Sequence, residues 1–142
     1  MKISNDVSAV VYFGNQSNAE FLLLYRYDPE KKENHYRLIK GGVMDNENQL
    51  SAIKREINEE VHLKITNIIK EIGTYNYTVG DIKHNVIVYL VKVETKDVLP
   101  DSSDEGNFVI KNAIWLDKEK AIKTLNFEDE KEMLINSLDS IE

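Results

Sequence analysis

Residues 40–63, KGGVMDNENQLSAIKREINEEVHL, constrain the fold more tightly than any other part of the chain. Two glycines are followed by a short polar loop and then by a run of helix-forming residues. The run predicts a helix over residues 49–62 with Asn48 as its N-cap, because an asparagine there can accept a hydrogen bond from the first turn. Its apolar residues are spaced three, four and four apart, which predicts one core-facing side. These residues are Leu50, Ile53, Ile57 and Val61.

Three carboxylates, those of Glu56, Glu59 and Glu60, are predicted to share another side of this helix, away from the apolar stripe. They are three and four residues apart, so they fall within about 100° of arc on a 3.6-residue turn. Such crowding raises carboxylate pKa values unless positive charge lies among them, and Arg55 supplies only part of it. A hard divalent cation can supply the rest, because Mg²⁺ and Mn²⁺ prefer oxygen ligands. The alternative is a solvated acidic face without a ligand.

The glycine pair Gly41–Gly42 precedes the helix at a fixed spacing, with Glu47 between them. Glycine lets the backbone approach a ligand closely, so a carbonyl oxygen of the pair could also reach a metal. Taken alone, the pair is typical of a turn. The combination favours a loop and helix that hold a divalent metal against a phosphate chain.

The same segment resembles the signature of Nudix hydrolases, GX5EX7REUXEEXGU, in which U is a bulky aliphatic residue. Two departures are visible. The first is His62, which stands where the signature has its second glycine. The second concerns the pair Gly41–Gly42: Gly41 is in register with the first glycine of the signature, whereas relatives usually align the second residue of such a pair there, so the loop is one residue shorter. The positions in register are Gly41, Glu47, Arg55, Glu56, Ile57, Glu59, Glu60 and Leu63.

The resemblance implies a hydrolase that cleaves a diphosphate bond in a nucleoside diphosphate linked to another group, with Mg²⁺ as cofactor and Mn²⁺ as a substitute. It also implies an α/β/α sandwich with a central mixed sheet flanked by helices. Carried over to this chain, Glu59 and Glu60 are the main metal ligands, and Arg55 orients a carboxylate. The implied metal-binding groups are Glu56, Glu59, Glu60, Glu47 and the carbonyl of Gly41 or Gly42.

The general base is open between two places. Glu56 is one candidate, as a ligand or a proton acceptor. A carboxylate of the acidic loop, Glu105 or Asp104, is the other, and a solvated turn is the alternative interpretation of that loop.

Substrate contacts are expected close to the glycine pair and the strand that begins near residue 85. Lys40 can reach a phosphate, and Lys83 and His84 stand where the diadenosine tetraphosphate hydrolase branch has lysines that hold the polyphosphate. The second half, NVIVYLVKV followed by an acidic loop and AIWLDKEKAIKTLNFEDEKEML, resembles that branch. The predicted substrate-binding residues are Lys40, Gly42, Lys83, Tyr77 and His84. Weaker candidates are Tyr75 and Tyr36 for base stacking, which could equally be sheet packing, and His35 and Arg37.

The order of elements predicts a mixed α/β (α+β) chain that forms one domain over residues 1–142. The predicted strands are residues 7–13, 21–27, 36–39, 67–78, 85–93 and 113–116, and two helices over residues 117–125 and 128–141 close the chain. We expect Gly73 to mark a β-bulge.

The net charge, the cysteine content and the N-terminal segment limit the partners and the cellular location that can be expected. The net charge of −7 disfavours a general nucleic-acid surface, and the absence of cysteine excludes disulfides and thiolate sites. The N-terminus is neither a signal peptide nor a membrane span, so a cytoplasmic location is expected. The resemblance implies a nucleotide as substrate, and the chain is expected to be a monomer or a homodimer. Alternatives within the same chemistry are nucleoside triphosphates, ADP-ribose, nucleotide sugars and 5′-triphosphate RNA. A non-catalytic nucleotide-binding module is the alternative from another class.

Overall fold

The structure is a computed structural model that describes residues 1–29, 32–65, 67–99 and 110–142. Within these ranges, four strands are followed by a helix, three further strands, two helices and a short 3-10 turn. The strands are β1 (Lys2–Phe13), β2 (Glu20–Asp28), β3 (Glu33–Arg37), β4 (Ile39–Gly42), β5 (Ile68–Val79), β6 (Ile82–Lys92) and β7 (Ile110–Asp117). The helices are α1 (Gln49–Val61), α2 (Lys118–Thr124) and α3 (Glu128–Ser137), and the 3-10 turn is Leu138–Ser140.

Strand β1 is the branch point of a single mixed sheet. It runs parallel to β6 over nearly its whole length, and β6 pairs with the antiparallel strand β5. On its other side, β1 pairs first with β4, from Asp6 to Ala9, and only its end, Tyr12 and Phe13, pairs with β2. Strands β3 and β7 extend the sheet from β2. The chain therefore changes from one branch to the other between β3 and β4, at Leu38.

Both faces of β1 are covered, which explains why its second half is apolar without alternation. Val7, Ala9 and Val11 belong to the core beneath α1, whereas Val10 and Tyr12 belong to the core beneath α2 and α3. One helix thus packs on one face of the sheet and two on the other, which confirms the predicted α/β/α sandwich with a mixed central sheet.

The element boundaries differ from the predictions mainly where edges are polar. Strand β1 begins at Lys2 and not at residue 7, because ladder bonds to β6 continue through its polar start. The closing helix ends at Ser137 and tightens into the 3-10 turn, and Leu134 and Ile141 are both buried. A register shift between Glu71 and Gly73 confirms the predicted bulge.

One core position was predicted wrongly. Leu50 is 49% exposed, and Ala52 occupies an inward place instead. Leu50 has the right angular position but lies in the first turn of α1, so the exposure reflects its place at the helix end.

Among the described residues, no helix is long and apolar enough to cross a membrane.

Candidate active site

Helix α1 is fixed at both ends by local hydrogen bonds. The Asn48 side chain accepts a hydrogen bond from the Ser51 amide at 2.8 Å, as its predicted role as N-cap requires. At the other end, His62 adopts the left-handed conformation (φ 58°), and its amide donates to the Asn58 carbonyl at 2.9 Å. The residue that replaces a glycine of the signature therefore still terminates the helix. Its ring Nδ1 lies 2.6 Å from the Leu99 carbonyl oxygen, which ties the helix end to the following segment.

The three carboxylates of α1 occupy different environments. Glu56 and Glu60 are only 8% and 9% exposed, whereas the Glu59 side chain is 52% exposed. The expectation that all three lie away from the apolar stripe is therefore wrong for Glu56 and Glu60. At 100° per residue, their positions lie only 60° and 20° from the buried Ile53, so both fall within the buried side of the helix. They thus lie where desolvation can strengthen their interaction with a cation.

Gly41 has a steric role in this arrangement. A Cβ atom at Gly41 would overlap the carboxyl group of Glu56, so the backbone of β4 and this side chain are in direct contact. At Gly42, the nearest atom of the described chain to an added Cβ would be Asp6 Oδ1, at an ordinary 3.9 Å. The first glycine of the pair, the one in register with the signature, therefore makes room for Glu56.

Arg55 binds several groups of the loop and the helix. Its Nε and Nη2 donate to the two carboxylate oxygens of Glu47 at 2.8 and 2.9 Å, and Nη2 also donates to the Gly42 carbonyl at 2.8 Å. Its Nη1 donates to Glu56 at 2.7 Å and to Glu59 at 3.3 Å. These bonds raise the pKa of Arg55, and Arg55 is the main reason why the pKa of Glu47 falls to about 2. Burial raises the pKa of Glu56, although Arg55 opposes the shift.

A second arginine, which sequence reasoning did not select, reaches Glu60 from strand β2. Arg26 Nη2 lies 3.2 and 3.4 Å from the two Glu60 carboxylate oxygens, and both side chains are largely buried. Arg26 continues the alternation of the buried residues Leu22 and Leu24, so it points to the face that α1 covers. An arginine in phase with buried leucines is the signal that could have identified it.

The carboxylates form ion pairs with arginines and do not form a ready metal cage. No group of three or more acidic or histidine side chains is arranged as a metal site in the described ranges. The donor set still fits a hard cation, since Glu56, Glu59 and Glu60 are adjacent carboxylates and Gly41 lies against one of them. A bound ion would compete with Arg55 for these oxygens. Glu105 and Asp104, the other candidates for the general base, lie outside the described residues.

A cavity of about 460 Å³ opens on the other side of β4. Lys40 lies between Ile39, which packs under α1, and Gly41, so alternation turns its side chain to the opposite face. The lining combines aromatic rings with charged groups. The described residues that line this aromatic cavity are Arg37, Lys40, Tyr75, Tyr77, Val79, Phe127, Asp129 and Glu130.

Tyr77 lies in the wall of the aromatic cavity and contacts two of the predicted substrate residues. Its ring stacks on that of His84, with centroids 4.6 Å apart and an interplanar angle of 6°. His84 Nδ1 lies 2.8 Å from the buried carboxylate of Asp6. Tyr77 also contacts the Lys40 ammonium through its hydroxyl oxygen. Three predicted substrate residues, Lys40, Tyr77 and His84, are thus brought together, with Asp6 as an unpredicted support.

Three cationic side chains, those of Arg26, Arg37 and Lys40, lie close enough to influence one another's charge. Burial and the nearby charge of Arg37 lower the pKa of Lys40 to about 8. Burial and the charge of Arg26 lower the pKa of the Arg37 guanidinium. Among the described residues, none bonds the buried Nε atom of Arg37. This is an environment that a bound anion would stabilise.

Two other predicted residues lie apart from the aromatic cavity. Lys83 neighbours His84 on β6, so its side chain leaves the opposite face of the strand, and it is not among the described lining residues. Tyr36 packs against the core beneath α2 and α3 and against Tyr25.

A family model described as NUDIX domain matches residues 4–136 of the chain. No curated protein matches the chain. Among solved structures, the Ap4A hydrolase of C. elegans, in a binary complex, is 23% identical with a TM-score of 0.74, over 94% of this chain and 93% of that one.

Other similar structures carry different names. The MutT protein from Methanosarcina mazei Go1 is 20% identical with a TM-score of 0.74, over 98% and 94% of the two chains. The dihydroneopterin triphosphate pyrophosphohydrolase of E. coli is 14% identical with a TM-score of 0.73, over 99% of both. At these identities, the likeness concerns the fold.

Proposed function

The chain belongs to the Nudix family and is a pyrophosphohydrolase of that family, and from this premise we propose that its substrates are dinucleoside polyphosphates such as diadenosine tetraphosphate, cleaved to ATP and AMP. We also propose Mg²⁺ as the metal, with Mn²⁺ as a substitute. The resemblance of the second half of the chain to the diadenosine tetraphosphate hydrolase branch supports this substrate class.

One observation carries the proposal: two consecutive residues of β4 face the two halves of the site, one the carboxylates of α1 and the other the aromatic cavity. Gly41 lies against the Glu56 carboxyl group on one face of β4, and Lys40 lines the aromatic cavity on the other. A nucleoside in the aromatic cavity would therefore have its phosphate chain within reach of the carboxylates of α1. A substrate with a base at one end and a metal-bound diphosphate beside it matches this arrangement.

The residues of this chain would divide the chemistry between them. Glu56, Glu59 and Glu60 would hold the metal, which when bound neutralises phosphate charge and lowers the pKa of a water ligand. Arg55 would keep Glu47 and Glu56 in place through charge-assisted hydrogen bonds.

The phosphate chain would be bound by Lys40 and Arg37. Both are cationic, both line the aromatic cavity, and Arg37 also lies near the charge of Glu60. An anion bound here would relieve the repulsion between neighbouring cations. Tyr77 would stack on the base, with His84 and Asp6 holding its ring.

A panel of substrates tests the proposal. With purified protein and Mg²⁺, diadenosine tetraphosphate should give ATP and AMP with a higher kcat/KM than ADP-ribose, a nucleotide sugar, 5′-triphosphate RNA or a nucleoside triphosphate. Omission of the metal in the presence of a chelator should abolish turnover. Faster turnover of ADP-ribose or a nucleoside triphosphate would reject the substrate class, and no turnover of any substrate would favour a binding module.

A further inference from the structure

Glu130 is a buried carboxyl group in the wall of the aromatic cavity. It lies in the first turn of α3, and only 3% of the residue is exposed. In that turn, Asp129 also lines the aromatic cavity but is exposed to solvent. Glu130 thus places a buried acceptor in a wall that it shares with aromatic rings and with the cations Arg37 and Lys40.

The hydrogen bond that Glu130 makes does not require a charged group. Its two carboxylate oxygens accept from the Leu38 amide at 3.3 and 3.2 Å, at the junction of β3 and β4. The amide oxygen of a glutamine could accept the same bond without bringing a carboxyl group into the interior. A carboxylate offers about four acceptor sites, and one amide donor leaves acceptor capacity for a ligand.

Neighbouring cations offset only part of the cost of burying a charged Glu130 carboxylate. Burial raises the pKa of Glu130 to about 7, against the opposing effects of Arg37, the Leu38 amide and Lys40. The other titratable groups around this part of the cavity are Asp129, Tyr75 and Tyr77. Buried acceptors of this kind are selective, because a ligand that lacks the matching donor leaves the acceptor without a bond.

We propose that Glu130 is a specificity-determining residue that accepts a hydrogen bond from the exocyclic amino group of a purine bound in the aromatic cavity. This inference rests on the proposed function, since it assumes that the aromatic cavity holds the nucleoside. The rings of Tyr75, Tyr77 and Phe127 favour the large face of a purine, and Glu130 distinguishes purines by the groups on their edge.

Adenine and guanine both carry an amino group, at different positions. Deleting that group while keeping the phosphate isolates the contact. The two matched pairs are AMP against purine riboside 5′-monophosphate, and GMP against IMP.

The experiment measures dissociation constants by calorimetry with Mg²⁺ for both pairs. In the wild-type protein, the amino-bearing member of at least one pair should bind about tenfold or more tightly, as expected for a hydrogen bond to a charged group. Glu130→Gln keeps an acceptor for the Leu38 amide, and it should reduce that ratio to less than about threefold. Glu132→Gln removes an exposed carboxylate from the same helix, and it should keep the wild-type ratio.

Two results would overturn the inference. One is a wild-type ratio near one in both pairs, and the other is a ratio that Glu130→Gln leaves unchanged. If these appear while the enzyme still cleaves diadenosine tetraphosphate, the role of Glu130 fails and the proposed function stands. If no nucleoside monophosphate binds and no substrate is cleaved, both fail.

Discussion

The two halves of the site differ in how their charges are balanced. On the α1 face, the acidic cluster, which we define as Glu47, Glu56, Glu59 and Glu60, is bound by arginines at 2.7–3.4 Å. In the aromatic cavity, burial together with the nearby charge of Arg37 lowers the pKa of Lys40. The four carboxylates of the acidic cluster carry more negative charge than Arg26 and Arg55 can neutralise. The aromatic cavity has cations that favour a bound anion. A polyphosphate that carries a metal ion offers the complement of both.

The halves also differ in how the chain builds them. The acidic cluster comes from one contiguous segment, and its spacing follows from the helix itself. The aromatic cavity is assembled from β3, β4, β5 and α3, which only the folded sheet brings together. We therefore expect substitutions in the acidic cluster to affect turnover most, and substitutions in the aromatic cavity to affect substrate choice and stability.

The largest effect is expected for Glu60→Gln. Loss of one metal-binding carboxylate should lower kcat by at least about 10³-fold, or about 4 kcal/mol at 1.36 kcal/mol per decade. Thermal unfolding should remain cooperative and AMP binding should persist, because the aromatic cavity is untouched. Steady-state kinetics at saturating Mg²⁺, with Glu132→Gln as control, measures the difference. Near-normal turnover would remove Glu60 from the metal site.

A smaller effect is expected for Gly41→Ala. The new methyl group must displace the Glu56 carboxyl group, and a displacement of about 1 Å near the reacting groups costs about 10²-fold in kcat. Gly42→Ala has ordinary space for its methyl group and should lose no more than about threefold. Equal losses in the two variants would contradict the steric role assigned to Gly41.

The last effect is expected in stability rather than in turnover, and it concerns the charge of Glu130. Its pKa is raised from 4.5 to about 7 on folding, so the folded state binds the proton more tightly than the unfolded state. The wild-type protein should therefore lose stability relative to Glu130→Gln as the pH rises from 4.5 to 7. Denaturant unfolding at pH 5 and pH 8 should reveal a differential of about 2–3 kcal/mol at 1.36 kcal/mol per pKa unit. A pH-independent difference would show that Glu130 is not strained by burial.

The same contrast explains what the sequence could predict. The spacing of residues 40–63 predicted α1, its N-cap and its neighbouring carboxylates, because those depend on local geometry alone. The same spacing already places Glu56 and Glu60 beside Ile53, but the close contact between Glu56 and Gly41 could not be predicted, because it depends on how β4 packs against the helix. Arg37 was only a weak candidate, because its environment arises where two branches of the sheet separate.

Strand alternation and helix phase also carry information about residues outside the motif. Lys83 and His84 are adjacent on a strand, so only one of them can face Tyr77. Glu130 lies four residues before Leu134 and therefore shares the inward side of α3. Pairing of β5 with β6 decides that His84 is the residue opposite Tyr77, and that register depends on the bulge near Gly73.

The claim that the acidic cluster and the aromatic cavity serve one ligand is tested most directly by a crystal structure with Mn²⁺ and a non-hydrolysable dinucleoside polyphosphate. The account predicts an anomalous Mn²⁺ signal at the carboxylates of Glu56, Glu59 and Glu60, and a base in the aromatic cavity with its phosphates passing Lys40. Absence of Mn²⁺ from these carboxylates, or a nucleotide bound elsewhere, would contradict it.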